Sequence, residues 1–222
     1  VETRQHLYRT AITLIAGRGY EATTLRDIAK QAQVSVGLLY RYFPSKRAVV
    51  LTLYDDLSAE FEERAATMKP GPWRARFLFA LTTSVAVLST QRDTMGALMP
   101  ILIGDPDQGL FAPAMAFSRR RVQGVFEKAV REAADAPSAD DAAALGRLLY
   151  LLHLALILWW LLDKSPKQKA TQELIALLKQ ALPIVSLLLR LQPAWTFVRA
   201  ADKLCRDGLV GDDGNLAPDG EA

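Results

Sequence analysis

A single cysteine, Cys205, is all the thiol this 222-residue chain possesses, so a disulfide within the chain is impossible and a stapled secreted scaffold is excluded. Histidine is nearly as scarce. His6 and His153 are the only two, and neither stands at metal-ligand spacing from a Cys or from the other. No GxSxG elbow and no phosphate-cradling glycine loop is present, so an enzyme is not expected, nor any catalytic residue, metal or cofactor. "GDPDQG" at 104–109 has the start of a calcium loop but lacks the further acids and the distal glutamate, and is read as an inter-helix turn. Alternating β-branched runs bounded by hairpin turns are also missing, which argues against a sheet. The longest apolar run, "LLYLLHLALILWWLL" at 148–162, stops at 15 residues and contains a histidine. A bilayer-spanning helix needs roughly 20, so a buried helix is expected and no membrane partner; the run also lacks the basic polar face of an interfacial helix. Arg4, His6 and Arg9 break any apolar run at the front, so no secretory leader is read there and the expected compartment is the cytoplasm.

What is present is apolar and unevenly charged. Half of the residues are hydrophobic and 23% are charged, which suits a compact fold built on burial. Residues 1–50 hold eight Lys or Arg against three acids, a net of +5, while the remainder nets −2. A basic end on a nearly neutral body is the electrostatic signature of a chain that meets a polyanion.

The punctuation is helical throughout, and an all-α fold of about nine to ten helices is expected. Leu7, Ala11, Leu14 and Ile15 fall at helical spacing, and "GRGY" at 17–20 stops that helix. Thr24 is placed to cap a second, with Asp27 three residues on as an imperfect capping box and Leu25, Ile28, Ala29 and Ala32 as its apolar stripe. Ser35 caps a third, "VGLLYRYF", ended by Pro44. Ser45 caps a fourth that runs through Val49, Leu53, Leu57 and Phe61 to "KPGP" at 69–72, the best internal boundary. Breaks at 91–93, 104–107, 135–141, 164–167 and 192–193 divide the rest into about six helices. Pro183 falls inside the penultimate one and is expected to kink it.

Two short helices joined by about four residues, the second Ser-capped and bearing small and aromatic side chains, have the form of a helix-turn-helix over about 24–43. The major groove admits one helix, which must be slim where it nears base edges; Gly37 supplies that clearance. Tyr40, three residues later on the same face, and Tyr42 are placed to reach phosphate oxygens. Leu38 is a candidate for a thymine methyl, and Leu39 and Phe43 form the docking face. Thr24 and Lys46 are placed to contact phosphate, and Arg26 either phosphate or a base edge.

"TTLRDIAKQAQVSVGLLYRYFPSK", residues 23–46, resembles the DNA-binding signature of the TetR family of transcriptional regulators: a Thr-led helix, a turn ending in Val-Ser, then Gly, two spacers, Tyr, one spacer, an aromatic, Phe, two spacers and Lys. The likeness is close over roughly residues 1–60. It implies a three-helix DNA-binding domain at 1–60 and a linking fourth helix to a ligand-binding and dimerisation domain at 61–205; the tail at 206–222, rich in Gly and Asp, is expected to fray. It also implies a homodimer on a palindromic double-stranded operator, usually as a repressor, released when a small molecule binds. Carried over by position, backbone contacts fall to Thr24, Tyr40, Tyr42 and Lys46. Base-edge proximity falls to Arg26, Val36, Gly37 and Leu38, and Ser35 caps and touches phosphate. Gln33 departs from the pattern, standing where the family often has glycine. A DNA-binding structural or adaptor protein on the same fold, without an effector, is the alternative.

In the second domain, large adaptable side chains suggest a cavity for an apolar or aromatic effector: Phe77, Met95, Met99, Phe111, Met115, Phe117, His153 and Trp159. Each suits an ordinary core equally well. The apolar 148–162 helix needs neighbours on every side, and with 170–191, whose stripe is Leu174, Leu178 and Leu182, it is expected to pair with its symmetry mate. The three arginines at 119–121 point around a helix rather than along one face and are read as solvated.

Overall fold

The computed structural model describes residues 2–105 and 109–209, and these form ten α-helices and no strand. In order they are α1 (Glu2–Arg18), α2 (Leu25–Gln31), α3 (Val36–Tyr42), α4 (Lys46–Ala65), α5 (Trp73–Ser89), α6 (Arg92–Gly104), α7 (Ala116–Arg131), α8 (Ala139–Leu162), α9 (Lys169–Leu188) and α10 (Gln192–Leu209). Single 3₁₀ turns at Pro113–Met115 and Pro166–Gln168 precede α7 and α9. Two compact units result: one takes the residues up to Arg64 with Thr83–Arg121, the other Ala65–Thr82 with those from Val122 onward. The inter-helix turn read at 104–109 lies largely outside the described residues, as does the tail beyond Leu209; α10 itself continues past Arg206, where fraying was expected to begin.

The first unit is built by caps that the chain writes into its own sequence. Gly19, at φ 86, ends α1 and donates its N–H to Ile15 O at 2.9 Å. Thr24 caps α2 with a complete capping box: Asp27 N–H donates to Thr24 Oγ1 at 3.1 Å, and Thr24 N–H donates back to Asp27 Oδ2 at 3.0 Å. These hydrogen bonds, the hydroxyl of Thr24 foremost, hold the Asp27 carboxyl below its ordinary pKa. Ser35 caps α3 by accepting from Leu38 N–H at 3.2 Å, and Ser45 caps α4 by accepting from Ala48 N–H at 3.1 Å. Leu7, Ile15, Ile28, Leu39, Phe43 and Val49 are almost wholly buried, with Tyr8 stacked on Phe43 at 6.4 Å between ring centroids. That core fastens α1, α2, α3 and the start of α4 together.

The second unit is held by charge as well as by apolar burial. Arg147 of α8 makes a two-pronged ion pair with the buried Asp202 of α10, at 2.6 and 2.7 Å, and Arg199 reaches Asp141 at 2.6 Å. Asp163 caps the α8–α9 junction, accepting from the N–H and hydroxyl of both Ser165 and Thr171. Those bonds hold its carboxyl well below the usual range, and they fasten a turn in which Lys167 and Gln168 both adopt positive φ, 55 and 52. Pro183 lies inside α9, and Pro100 inside α6. By length and composition alone, Ala139–Leu162 and Pro166–Leu188 are long and apolar enough to cross a membrane, which exceeds the expectation from the 15-residue run; 44% of the first apolar window is buried in the fold against 11% of the second.

His153 sits in the aromatic core of this unit, 4.7 Å from the Phe126 ring and 6.2 Å from Tyr150. Burial pushes its pKa down from 6.5 to about 3. The unfolded chain therefore takes up a proton below about pH 6.5 that the native state refuses, and stability falls as pH drops through that window. At roughly 1.4 kcal/mol per unit, the expected loss by pH 5 is about 2 kcal/mol. Urea unfolding of wild type and His153→Leu at pH 7 and pH 5 checks this: the variant should lose far less of its stability between the two.

Candidate nucleic-acid interface

The turn between α2 and α3 closes as a Schellman motif: Gln33 N–H donates to Lys30 O at 3.2 Å and Val34 N–H to Ala29 O at 3.0 Å. Gln33 holds φ at 56, the left-handed position that usually takes glycine, a substitution that costs about 1 kcal/mol. The departure in sequence is thus absorbed as local strain and the turn keeps its geometry. α3 then emerges with Leu39 and Phe43 at 0% and 1% exposure. Ser35, Val36, Gly37, Tyr40, Arg41 and Tyr42 are exposed, and Leu38 is half-buried.

Gly37 is informative because nothing inside the chain demands it. A Cβ built there meets no atom within 4 Å, whereas one at Gly146 would lie 2.6 Å from the Cα of Glu127. Gly146 is a packing glycine. Gly37, like Gly96 and Gly124, has open space where a Cβ would lie, and it stands on the exposed face of α3.

The other expected contacts divide. Ser35 accepts its capping bond and keeps its own hydroxyl hydrogen for a donor bond outward. The hydroxyl of Thr24 donates to Asp27 at 2.6 Å, so its proton is committed to the capping box. Arg26 is exposed on α2, with Lys30 one turn further along. Lys46 does not point outward: its amine donates to Tyr20 O at 2.6 Å and lies 4.2 Å from the centroid of the Tyr20 ring. It holds the loop before α2 in place. Lys46→Met, which keeps the aliphatic stem, is expected to lower stability by about 1–2 kcal/mol. It should also leave the salt dependence of DNA affinity unchanged, where loss of a phosphate contact would lower the slope by about 1. Urea unfolding and filter-binding titrations at several salt concentrations measure both.

The candidate effector residues are spread over both units. In the first, Met95 and Met115 are buried, Met99 and Phe111 half-buried, and Phe117 is exposed beneath Arg121 at 4.5 Å. Met115 lines a narrow cleft with Tyr20, Arg47, Tyr54, Leu98 and Leu102. In the second, Phe77 and His153 pack on Phe126 inside the core, and Trp159 is 49% exposed. The arginine run is not simply solvated: Arg121 donates to Asp55 Oδ1 and Ser58 Oγ, each at 2.8 Å.

The three leucines expected at a dimer interface do not form the outward face of α9. Leu182 is 3% exposed, within the chain's own core, and Leu174 and Leu178 are half-buried. The outward face of α9 is instead Leu177, Ile184 and Leu188, at 61%, 63% and 53% exposure, rotated by about 100°, one residue's turn, from the expected one.

Comparison with known proteins bears on the family and the fold. The model of the family described as bacterial regulatory proteins, tetR family, matches residues 7–53. The HTH-type transcriptional repressor KstR of Rhodococcus jostii (strain RHA1) is 30% identical over 171 residues, 74% of this chain and 75% of that protein. The HTH-type transcriptional regulator HbdR of Aromatoleum sp. (strain CIB) is 32% identical over 96 residues, 42% of each. Among solved structures, a tetR-family transcriptional regulator from Streptomyces coelicolor superposes with a TM-score of 0.62 at 22% identity, over 95% of this chain and 93% of that one. The TetR transcriptional regulator from Nitrosomonas europaea ATCC 19718 gives 0.61 at 24%, over 84% and 99%, so these two likenesses speak for the fold. With the Thr24 and Ser35 caps, the Schellman turn and the Gly37 face all in place, and a repressor alike over three quarters of its length, the chain belongs to the TetR family of transcriptional regulators.

Proposed function

We propose that this chain is a homodimeric repressor that binds a palindromic operator through α3 and is released by a small apolar or aromatic effector. The observation that carries the DNA-binding part is the glycine at 37, bare on the exposed face of a helix whose opposite face is wholly buried. A basic N-terminal fifty residues supply the attraction for phosphate, and affinity should fall steeply with salt as counterions are released. The unpartnered stripe of α9 is assigned to a second copy, because a symmetric site needs two reading helices about 34–36 Å apart, or a multiple of that spacing. Ligand would then act by favouring a dimer geometry in which those helices no longer match successive grooves. The proposed location is the cytoplasm, where the DNA is.

A second reading, a DNA-binding adaptor with no effector, is favoured by one observation: the candidate effector residues are divided between the two units, and Phe77 and His153 are spent on core packing. The two readings part on whether any apolar compound alters DNA affinity. The test of the shared claim is selection of bound duplexes from a random pool. The expected result is a palindromic consensus, and a pool that stays random overturns it.

A further inference from the structure

We infer that Arg41 sets the base sequence of each half-site by reading a guanine, an assignment that rests on α3 being the helix that enters the groove. Leu39 and Phe43 define the inward side of α3. Successive residues advance about 100° around a helix, so the outward pole falls at Gly37 and Arg41, four apart and one above the other. Gly37 has no side chain and open space around it. The reach of that pole therefore belongs to Arg41.

The remaining exposed positions do different work. Val36 offers only methyl groups, and Tyr40 and Tyr42 lie to the two sides of the pole, toward the walls of the groove where the phosphates run. Arg41 is the one cation on α3, it is exposed, and its guanidinium bonds to nothing among the described residues. Lys46, by contrast, spends its amine on Tyr20 O, and the Arg4 guanidinium lies 5.3 Å from the centroid of the Phe43 ring. A guanidinium presents two parallel N–H donors. On the floor of the major groove, guanine presents two acceptors, O6 and N7, at matching spacing. Adenine replaces one of those acceptors with a donor, and thymine places a methyl group there, so the same fork rejects both. Gly37, one turn earlier, lets the backbone come close enough for that fork to reach.

The test runs the duplex selection with the full-length wild type, Arg41→Ala and Arg41→Lys, followed by titration of the best duplex and of versions in which each guanine is replaced by adenine. Because Arg41 is exposed, the variants should match the wild type in circular dichroism. The wild-type consensus is expected to hold a guanine at one fixed position in both half-sites, and replacing it should weaken binding roughly 10- to 100-fold. Arg41→Ala should lose the preference at that position and keep the others, and Arg41→Lys should recover it only in part. If Arg41→Ala retains the whole consensus and weakens every duplex equally, with a smaller salt slope, Arg41 binds phosphate and the assignment fails alone. If the wild type enriches no sequence, the assignment falls together with the regulator reading.

Discussion

Ile184→Glu is expected to convert the proposed dimer into a folded monomer and to abolish tight binding to the proposed palindromic operator. Ile184 is 63% exposed on α9, between Leu177 and Leu188 on one stripe, so a carboxylate there disturbs nothing in the isolated chain. Across a two-fold axis the same change is made twice. Two carboxylates are then buried against leucine or against each other, a juxtaposition that costs several kcal/mol, so the dimer dissociation constant should rise by at least about 100-fold. A monomer presents one α3 and forfeits the second half-site. Light scattering at micromolar concentration should show the halved mass, circular dichroism an unchanged helix content, and titration a collapse of affinity for the palindrome with little change for a single half-site. A variant that remains dimeric would move the interface off this face of α9.

Arg76→Met is expected to be strongly destabilising although it removes no core hydrophobe. Arg76 is 6% exposed, and its guanidinium works as a cap for another helix: Nε donates to Ala129 O at 3.0 Å, Nη2 to Lys128 O at 3.3 Å, and Nη1 to Lys69 O at 3.1 Å. Lys128 and Ala129 lie in the last turn of α7; Lys128 O also accepts from Glu132 N–H at 3.1 Å, whereas Ala129 O, at the frayed end of the helix, takes its hydrogen bond from Arg76 Nε. Glu132 closes the arrangement at 3.3 Å from Nη2. Methionine fills much of the volume but satisfies none of these acceptors, and stranding Ala129 O and Lys69 O should cost about 3 kcal/mol. For a chain of this size that corresponds to a fall of roughly 6–12 °C in melting temperature. Arg76→Lys should recover less than half, because an ammonium is a point donor and cannot span three carbonyls from one place. Thermal unfolding by circular dichroism decides it; a shift under 2–3 °C for Arg76→Met would show that the carbonyls find other partners.

How much of this was legible in the amino-acid order depended on whether the signal was local. Thr24, Ser35 and Ser45 act within three residues of themselves, and each caps the helix that its position indicated. Gly19 and the buried pair Leu39 and Phe43 follow the same logic. α9 resisted because it is apolar nearly all round: Leu174, Leu178 and Leu182 make a stripe as convincing as Leu177, Ile184 and Leu188. Periodicity cannot say which stripe the chain keeps for itself.

Long side chains posed a different difficulty. Lys46 has a four-carbon reach, and whether it extends to solvent or folds back to Tyr20 O is decided by tertiary contact. Arg41 shows its position by local counting alone: it stands at the pole of α3 opposite the buried Leu39 and Phe43. The consecutive left-handed residues Lys167 and Gln168 gave no warning, since neither Gly nor Asn marks them and the Asp163 oxygens that secure the turn act from outside it.

The inward-turned amine of Lys46 has a mechanical meaning. It stands in the first turn of α4 and grips the carbonyl of the residue that leads into α2, so any push delivered along α4 drags the loop with it. That polar tie adds to the apolar core that already binds the start of α4 to α2 and α3. In the proposed regulator, a shove along α4 would swing α2 and α3 as one piece and keep the angle between them.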